Sequence, residues 1–285
     1  MEISPGKRAR TITDVVMTSL SAACAFVVIV LLAIILGYIA WRGLSVITIQ
    51  FLIDTPKPVG EGGGIGNAIL GSMVLLLLGS VIGLPFGIAA GIYLAEFGNN
   101  WFGNIVRFVT DTLTGVPSIV VGVFVYTLIV LRMKNFSTIA GGVALALIMI
   151  PIVTRTTEEM IRLVPSSLRE GALALGAPQW RVTLGVVLPA AASGVATGAM
   201  LAIARVSGET APLLFTAFGS RFFFDHRHPI AALNEPIASL TVQIYNYAIS
   251  PYDEWHAMAW AATLVLMTLI LAINITVRFF TRKKF

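Results

Sequence analysis

Apolar residues in this chain come in long unbroken blocks. They show neither the strict alternation of a half-buried strand nor the one-sided stripe of a helix on a water-soluble domain. A bilayer core of about 30 Å needs roughly 20 mostly apolar residues as helix. Six blocks meet that length, at about 15–41, 68–96, 104–131, 139–163, 190–217 and 257–280. The first is too long for the apolar core of a signal peptide and is read as a span. Pro85, Pro117 and Pro151 fall inside the second, third and fourth blocks, where a missing N–H removes a helix hydrogen bond and marks a bending point. The pattern predicts an all-α integral membrane protein with six transmembrane helices. Its parts are a cytoplasmic tail (1–14), a peripheral first helix (15–41), an extracytoplasmic loop (42–67), a main transmembrane domain (68–280) and a second cytoplasmic tail (281–285). Within the main domain, 164–189 reads as a cytoplasmic loop and 219–256 as an extracytoplasmic one.

Composition agrees. Of 285 residues, 57% are hydrophobic and 12% charged, with a mean hydropathy of +0.89, against about 45–50% and 25% in soluble domains. So little charge cannot cover a water-soluble surface of this size, which excludes a cytosolic enzyme, a disordered chain and a secreted disulfide scaffold. Cys24 is the only cysteine, so no intrachain disulfide or cysteine metal cluster can form; it reads as a small buried hydrophobe. A net charge of +5 would suggest nucleic acid in a soluble chain. Here it reads as the excess of basic residues on the cytoplasmic side of a membrane, and no nucleic-acid partner is expected. With the N-terminus inside, eleven basic residues fall on the cytoplasmic side, Lys283 and Lys284 among them. Six fall outside: Arg42, Lys57, Arg132, Lys134, Arg221 and Arg227. Both ends are therefore expected in the cytoplasm.

Little in the chain points to enzyme chemistry. A nucleotide-hydrolysing P-loop needs Gly-x-x-x-x-Gly-Lys-Ser/Thr, and none of the five lysines precedes Ser or Thr. The run Gly62-Gly63-Gly64-Ile65-Gly66 puts Asn67 where the third glycine of a dinucleotide loop would stand, and it reads as a flexible connector. Asp225, His226, His228 and His256 have no spacing that fixes a metal site and read as ordinary loop residues. No metal site and no cofactor is expected on this chain, and powered transport would need an ATPase, with its ATP and magnesium, on another chain.

Ionisable residues within a span are costly, by roughly 2.5–3.5 kcal/mol on insertion scales, and need a partner or a wet cavity. Arg155 stands nine residues before Val164 and Arg205 fifteen after Ala190, which places them about 14 and 22 Å deep. Glu209 follows Arg205 by four residues, so the two can pair on one helix face, and Thr156, Ser207 and Thr210 add hydroxyls nearby. A guanidinium stays charged when desolvated and gives two hydrogen bonds at once to an oxyanion. The cluster therefore reads as an anion pathway. The competing reading is structural: Arg205 with Glu209, and Arg155 with Glu158 or Glu159. Asp111, four residues after Arg107, is expected to pair with it.

The cytoplasmic loop after the fourth block predicts a short helix over 165–175, with Ser166 or Ser167 as cap and Gly176 as stop, then a turn at Pro178 and a second short helix to Leu188. Glu170-Gly171-Ala172, Gly176 and Leu188-Pro189 resemble the EAA coupling loop of binding-protein-dependent ABC importer permeases, with Gly171 in place of the usual Ala. The segments 61–64, 91–96, 117–122, 151–158 and 202–216 extend the likeness, over most of the chain, to the PstA-type permeases of bacterial phosphate importers. That resemblance implies the transmembrane domain of a type I ABC importer in the bacterial inner membrane. It also implies a heterodimer with a sister permease (PstC), two copies of an ATPase (PstB), a periplasmic phosphate-binding protein (PstS) and alternating access driven through the loop. It matches Arg155, Arg205 and Glu209 to residues tied to phosphate passage. The loop alone fits importers of sulfate or molybdate too. An ion-coupled secondary transporter would show inverted repeats, and a membrane scaffold would tolerate loss of Arg205.

Overall fold

The structure is a computed structural model that describes residues 5–282; residues 1–4 of the first tail, and Lys283, Lys284 and Phe285 of the second, lie outside the described residues. Apart from one isolated bridge, Pro56 to Gly63, regular structure among the described residues is helical. The reason is physical: in lipid each backbone polar group must be satisfied within its own segment, which a helix does alone. In chain order the helices are α1 (Pro5–Leu44), α2 (Ile49–Ile53), α3 (Gly66–Glu96), α4 (Trp101–Gly115), α5 (Ser118–Met133), α6 (Thr138–Arg162), α7 (Ser166–Ala174), α8 (Gln179–Ser207), α9 (Ala211–Thr216), α10 (Pro229–Ala232), α11 (Leu240–Ala248) and α12 (Asp253–Arg282).

Five of these, α1, α3, α6, α8 and α12, are long and apolar enough to cross a membrane, and α4 with α5 forms a sixth candidate bent by 105°. The third block is thus not a single straight span with a proline inside it. Pro117 caps the start of α5, where its lack of an N–H costs nothing, and the chain turns there. The fifth block also differs. Its helix begins at Gln179, passes through a π-turn at Thr183–Val187 without breaking, and ends at Ser207. The second short loop helix is therefore the first turns of α8, and α9 is a separate element.

The core is α3 packed along α6. Gly79, Gly83, Gly87 and Gly91 recur every four residues on one face of α3, and each lies against α6. A β-carbon at Gly87 would fall 2.7 Å from Val153 Cβ, and one at Gly91 2.5 Å from Thr157 Cβ. Small residues at this spacing let two helix backbones approach closely, the usual driving geometry within lipid. Leu75, Leu145, Met149 and Val153 are buried along the seam and continue into Val206 and Leu213. α8 crosses the other side of α6 in antiparallel fashion, with Gly194 on Met160 and Gly198 on Thr156.

α1 touches the rest at one end, through Gly43 on Trp260 and Leu264 and a Tyr38–Trp260 ring contact at 5.2 Å. Cys24, on the open part of this helix, is exposed rather than buried; a lipid-facing position satisfies an apolar residue without protein around it. The glycine run is not a flexible connector. Gly64, Ile65 and Gly66 donate backbone hydrogen bonds to Thr55, Phe51 and Asp54. A β-carbon at Gly64 would fall 2.5 Å from the Phe51 carbonyl, so only glycine lets this loop close on α2.

Candidate functional site

α4, α5, α6 and α8 line an open cavity of about 510 Å³ whose wall is apolar except for a few groups, with Arg205 exposed in it. Ile148, Pro151 and Ile152 come from α6, Val121 and Phe124 from α5, and Leu201 and Arg205 from α8; Thr114 and Ser118 add hydroxyls where the chain turns at Pro117. Arg205 is the one charged residue of the lining among the described residues. Among the same residues no carboxylate lies within ion-pair distance of it. Glu209 does not pair with it because α8 stops at Ser207 and the chain leaves the helical path at Gly208; four residues apart is one face only while the helix continues. Glu209 instead offers its backbone carbonyl to the Thr241 hydroxyl, at 2.9 Å.

Arg155 stands one turn along α6 from Pro151 and Ile152, so it continues the same face, about half exposed. The antiparallel register of α6 and α8 sets Arg155 and Arg205 about six residues apart in depth, about 9 Å. Arg155 is held by acidic neighbours: Nε lies 3.2 Å from Glu159 Oε1 and an Nη 3.5 Å from Glu158 Oε2. The hydroxyls read from sequence are mostly engaged. Thr156 donates to the Ile152 and Val153 carbonyls. Ser207 is buried and donates to Ile203 O at 2.6 Å. Thr210 is partly exposed at the start of α9.

Glu158, expected from the sequence only as a partner of Arg155, gathers a larger cluster. Glu158 is 1% exposed, yet takes Arg107 Nε at 2.7 Å and an Arg162 Nη at 2.7 Å besides its contact with Arg155. Arg107 therefore does not pair with Asp111, which is exposed. Its remaining nitrogens donate to Leu94 O, Gly98 O and Asn104 Oδ1 and close the end of α3.

At the same end of the molecule α7 projects as an exposed knob. Gly176 adopts φ +82° and stops it, while neither Ser166 nor Ser167 caps its start; Pro165 does, with no side-chain bond. Glu170, Gly171 and Pro189 are exposed, and Ala172 packs against the buried cluster that holds Ile161, Val164 and Val182. Leu188 is partly buried in α8. Arg169, beside Glu170, reaches back to Glu96 at the end of α3, at 2.9 and 3.1 Å, and donates to the carbonyls of Ile161 and Val164. Leu175 and Trp180 are 90% and 58% exposed at the tip. At the opposite end Asp225 accepts from Arg227 N and pairs with His228 at 3.0 Å, which holds its carboxyl below the usual range. His256 Nε2 lies 2.6 Å from Ser250 O.

The family model for the binding-protein-dependent transport system inner membrane component matches residues 83–285. The phosphate transport system permease protein PstA of Yersinia pestis is 51% identical over 231 residues, 81% of this chain and 76% of that protein. PstA of Pasteurella multocida is 42% identical over 278 residues, 96% of each chain. A probable PstA of Methanocaldococcus jannaschii is 37% identical over 96% of this chain and 95% of its own. Among solved structures, an inward-facing conformation of the MetNI methionine ABC transporter superposes with a TM-score of 0.59 at 18% identity, over 77% of this chain and 96% of that one. That likeness is one of fold.

Proposed function

The chain belongs to the family of binding-protein-dependent inner-membrane transport components and, within it, to the PstA-type permeases, and on that premise we propose that it is one half of the pore of an ATP-driven importer carrying inorganic phosphate into the cell. Its fold is that of a type I ABC importer transmembrane domain. The ends of α3, α6 and α12 beside α7 face the cytoplasm, and the loops 45–65 and 218–252 face outward. The sister permease completes the pathway, one of two ATPase subunits binds the knob of α7 and the start of α8, and a periplasmic phosphate-binding protein delivers the anion. ATP and magnesium belong to the ATPase.

Arg205 carries this reading: a guanidinium in an apolar wall with no carboxylate beside it is a standing site for an anion. Phosphate entering from outside meets Arg205 first. It meets Arg155 one step further in, where Glu158 and Glu159 already share the positive charge and weaken the hold. A gradient from a free to a partly neutralised arginine lets the anion leave inward. Closure of the ATPase dimer pushes on α7, and Arg169 transmits that push to Glu96 on α3 and to the end of α6.

The test is ATP-dependent uptake of labelled phosphate into vesicles holding the assembled complex, with excess sulfate or molybdate as competitors. Uptake that resists both and falls by at least about 100-fold in Arg205→Gln, the scale of losing one charge-assisted contact pair, supports the reading. Block by sulfate or molybdate would give the path to another oxyanion, and uptake without ATP would give it to an ion-coupled carrier.

A further inference from the structure

A second cavity of about 310 Å³, more polar than the first, opens at the end of the molecule opposite α7, between the 55–58 turn, the 218–221 turn, α11 and the start of α12. Its wall carries Lys57, Arg221, Gln243, Asn246, Tyr247 and Trp255, with no Asp or Glu among its lining residues. Lys57 is shared with Asp54, 3.0 Å away; Arg221 has no ion-pair partner among the described residues. Donors outnumber acceptors throughout. Trp255 lines the wall, while its indole Nε1–H is buried away from the cavity without a hydrogen-bond partner. Burial raises the Tyr247 phenol pKa, against the opposing pull of Gln243 and Arg221, so it stays a neutral O–H donor.

The backbone is built to hold Arg221 there. Phe218 takes φ +60° and Gly219 φ +141°; a non-glycine residue in that region costs of order 1 kcal/mol or more. Stacking of Phe218 on Phe136 at 4.8 Å and a hydrogen bond from its N–H to Leu213 O offset that cost. The buried Asn67 of α3 then fixes the next residue by donating to Ser220 O at 2.7 Å. Leu214 of α9 lines this cavity, while Arg205, six residues before α9, lines the other. In chain order α9 thus stands between the arginine of the inner cavity and the cationic wall of the outer one.

We propose that this outer cavity is a receiving site for a tetrahedral oxyanion, held by Arg221 and Lys57 with the side-chain amides of Gln243 and Asn246 as further donors, before the anion passes α9 toward Arg205. Its direction of traffic rests on the importer reading; its ligand chemistry does not. The cavity is roomy beside the about 30 Å³ that a liquid water occupies, so a hydrated anion fits.

Trp255 is the reporter. Tryptophan emission of the assembled, nucleotide-free complex is titrated with inorganic phosphate in wild type and Trp255→Phe, and the difference between the two isolates this indole. The expected result is a saturable difference signal whose half-saturation rises about tenfold in Arg221→Gln, or 1.4 kcal/mol, with Arg221→Lys between the two. A difference signal that does not saturate overturns the site, as does one whose half-saturation is the same in all three Arg221 forms. So does a loss of binding-protein docking in Arg221→Gln with phosphate absent, which would make the cavity a seat for a carboxylate of that protein. Uptake measured on the same preparations separates the two ideas. Intact wild-type uptake without a Trp255 signal sinks the receiving site alone, and a Trp255 signal without uptake sinks the importer reading alone.

Discussion

Arg107 and Glu158 stand 51 residues apart in sequence and meet at 2.7 Å, the carboxylate almost wholly buried and the guanidinium closing the end of α3. Three arginines converge on this one carboxylate. Its removal leaves Arg107 partly buried without a counter-charge, which costs about 3 kcal/mol or more. Glu158→Ala should therefore lower the thermal unfolding midpoint of the purified complex by many degrees. Glu159→Ala, which removes an exposed partner of Arg155, should change stability by less than about 1 kcal/mol. Equal shifts in a thermal scan of the two variants would contradict the role assigned to Glu158.

Arg169 ties three elements together, binding Glu96 of α3 and two carbonyls at the end of α6. Arg169→Ala should leave insertion and ATPase binding intact but lower uptake per ATP hydrolysed by about tenfold, since the knob could then move without pulling α3 or α6. Glu96→Gln keeps the carbonyl contacts and should show a smaller loss. The measurement is the ratio of phosphate uptake to ATP hydrolysis in vesicles. A preserved ratio in Arg169→Ala would place force transmission elsewhere.

The spans were legible in the sequence because hydropathy reports medium, and length reports thickness. Direction was not. Nothing in the run 104–131 says that the chain turns by 105° at Pro117, and a proline inside an apolar block reads equally as a kink. The Arg205–Glu209 pairing failed for a similar reason: the spacing presumes a helix, and Gly208 ends it. Arg107 with Glu158 and Arg169 with Glu96 are long-range pairs, for which local periodicity carries no signal. The family likeness, by contrast, sat in short local strings and needed no geometry. The stripe Gly79, Gly83, Gly87, Gly91 was open to reading, since a period of four on an apolar helix is a packing signature.

That stripe makes its own prediction. The β-carbon introduced by Gly87→Ala or Gly91→Ala would lie within 2.7 Å of side-chain carbons on α6, so the helices must separate, at a cost of about 1–3 kcal/mol for overpacking. A β-carbon at Gly37 on α1 would meet nothing within 4 Å. Gly37→Ala should be neutral or stabilising by up to about 1 kcal/mol, from the lower chain entropy of alanine. Thermal scans of the three variants in one detergent decide the matter; a drop for Gly37→Ala as large as for Gly91→Ala would mean that seam packing is not what limits stability.

Leu175 and Trp180 present the largest apolar side chains at the tip of the knob, a few residues from the exposed Glu170. An exposed aromatic beside an exposed leucine on a short projecting helix pair has the make-up of an interface anchor, and truncating such an anchor typically costs about 2 kcal/mol or more. Neither side chain is buried in the fold of this chain, so Trp180→Ala and Leu175→Asp should leave its thermal stability within about 0.5 kcal/mol. The affinity for the ATPase should fall by about 30-fold, the equivalent of 2 kcal/mol. Co-purification of the ATPase with the variant chain reads the second effect and a thermal scan the first. Undiminished capture of the ATPase by the double variant would move the docking surface off this tip, toward Glu170 and the flank of α7.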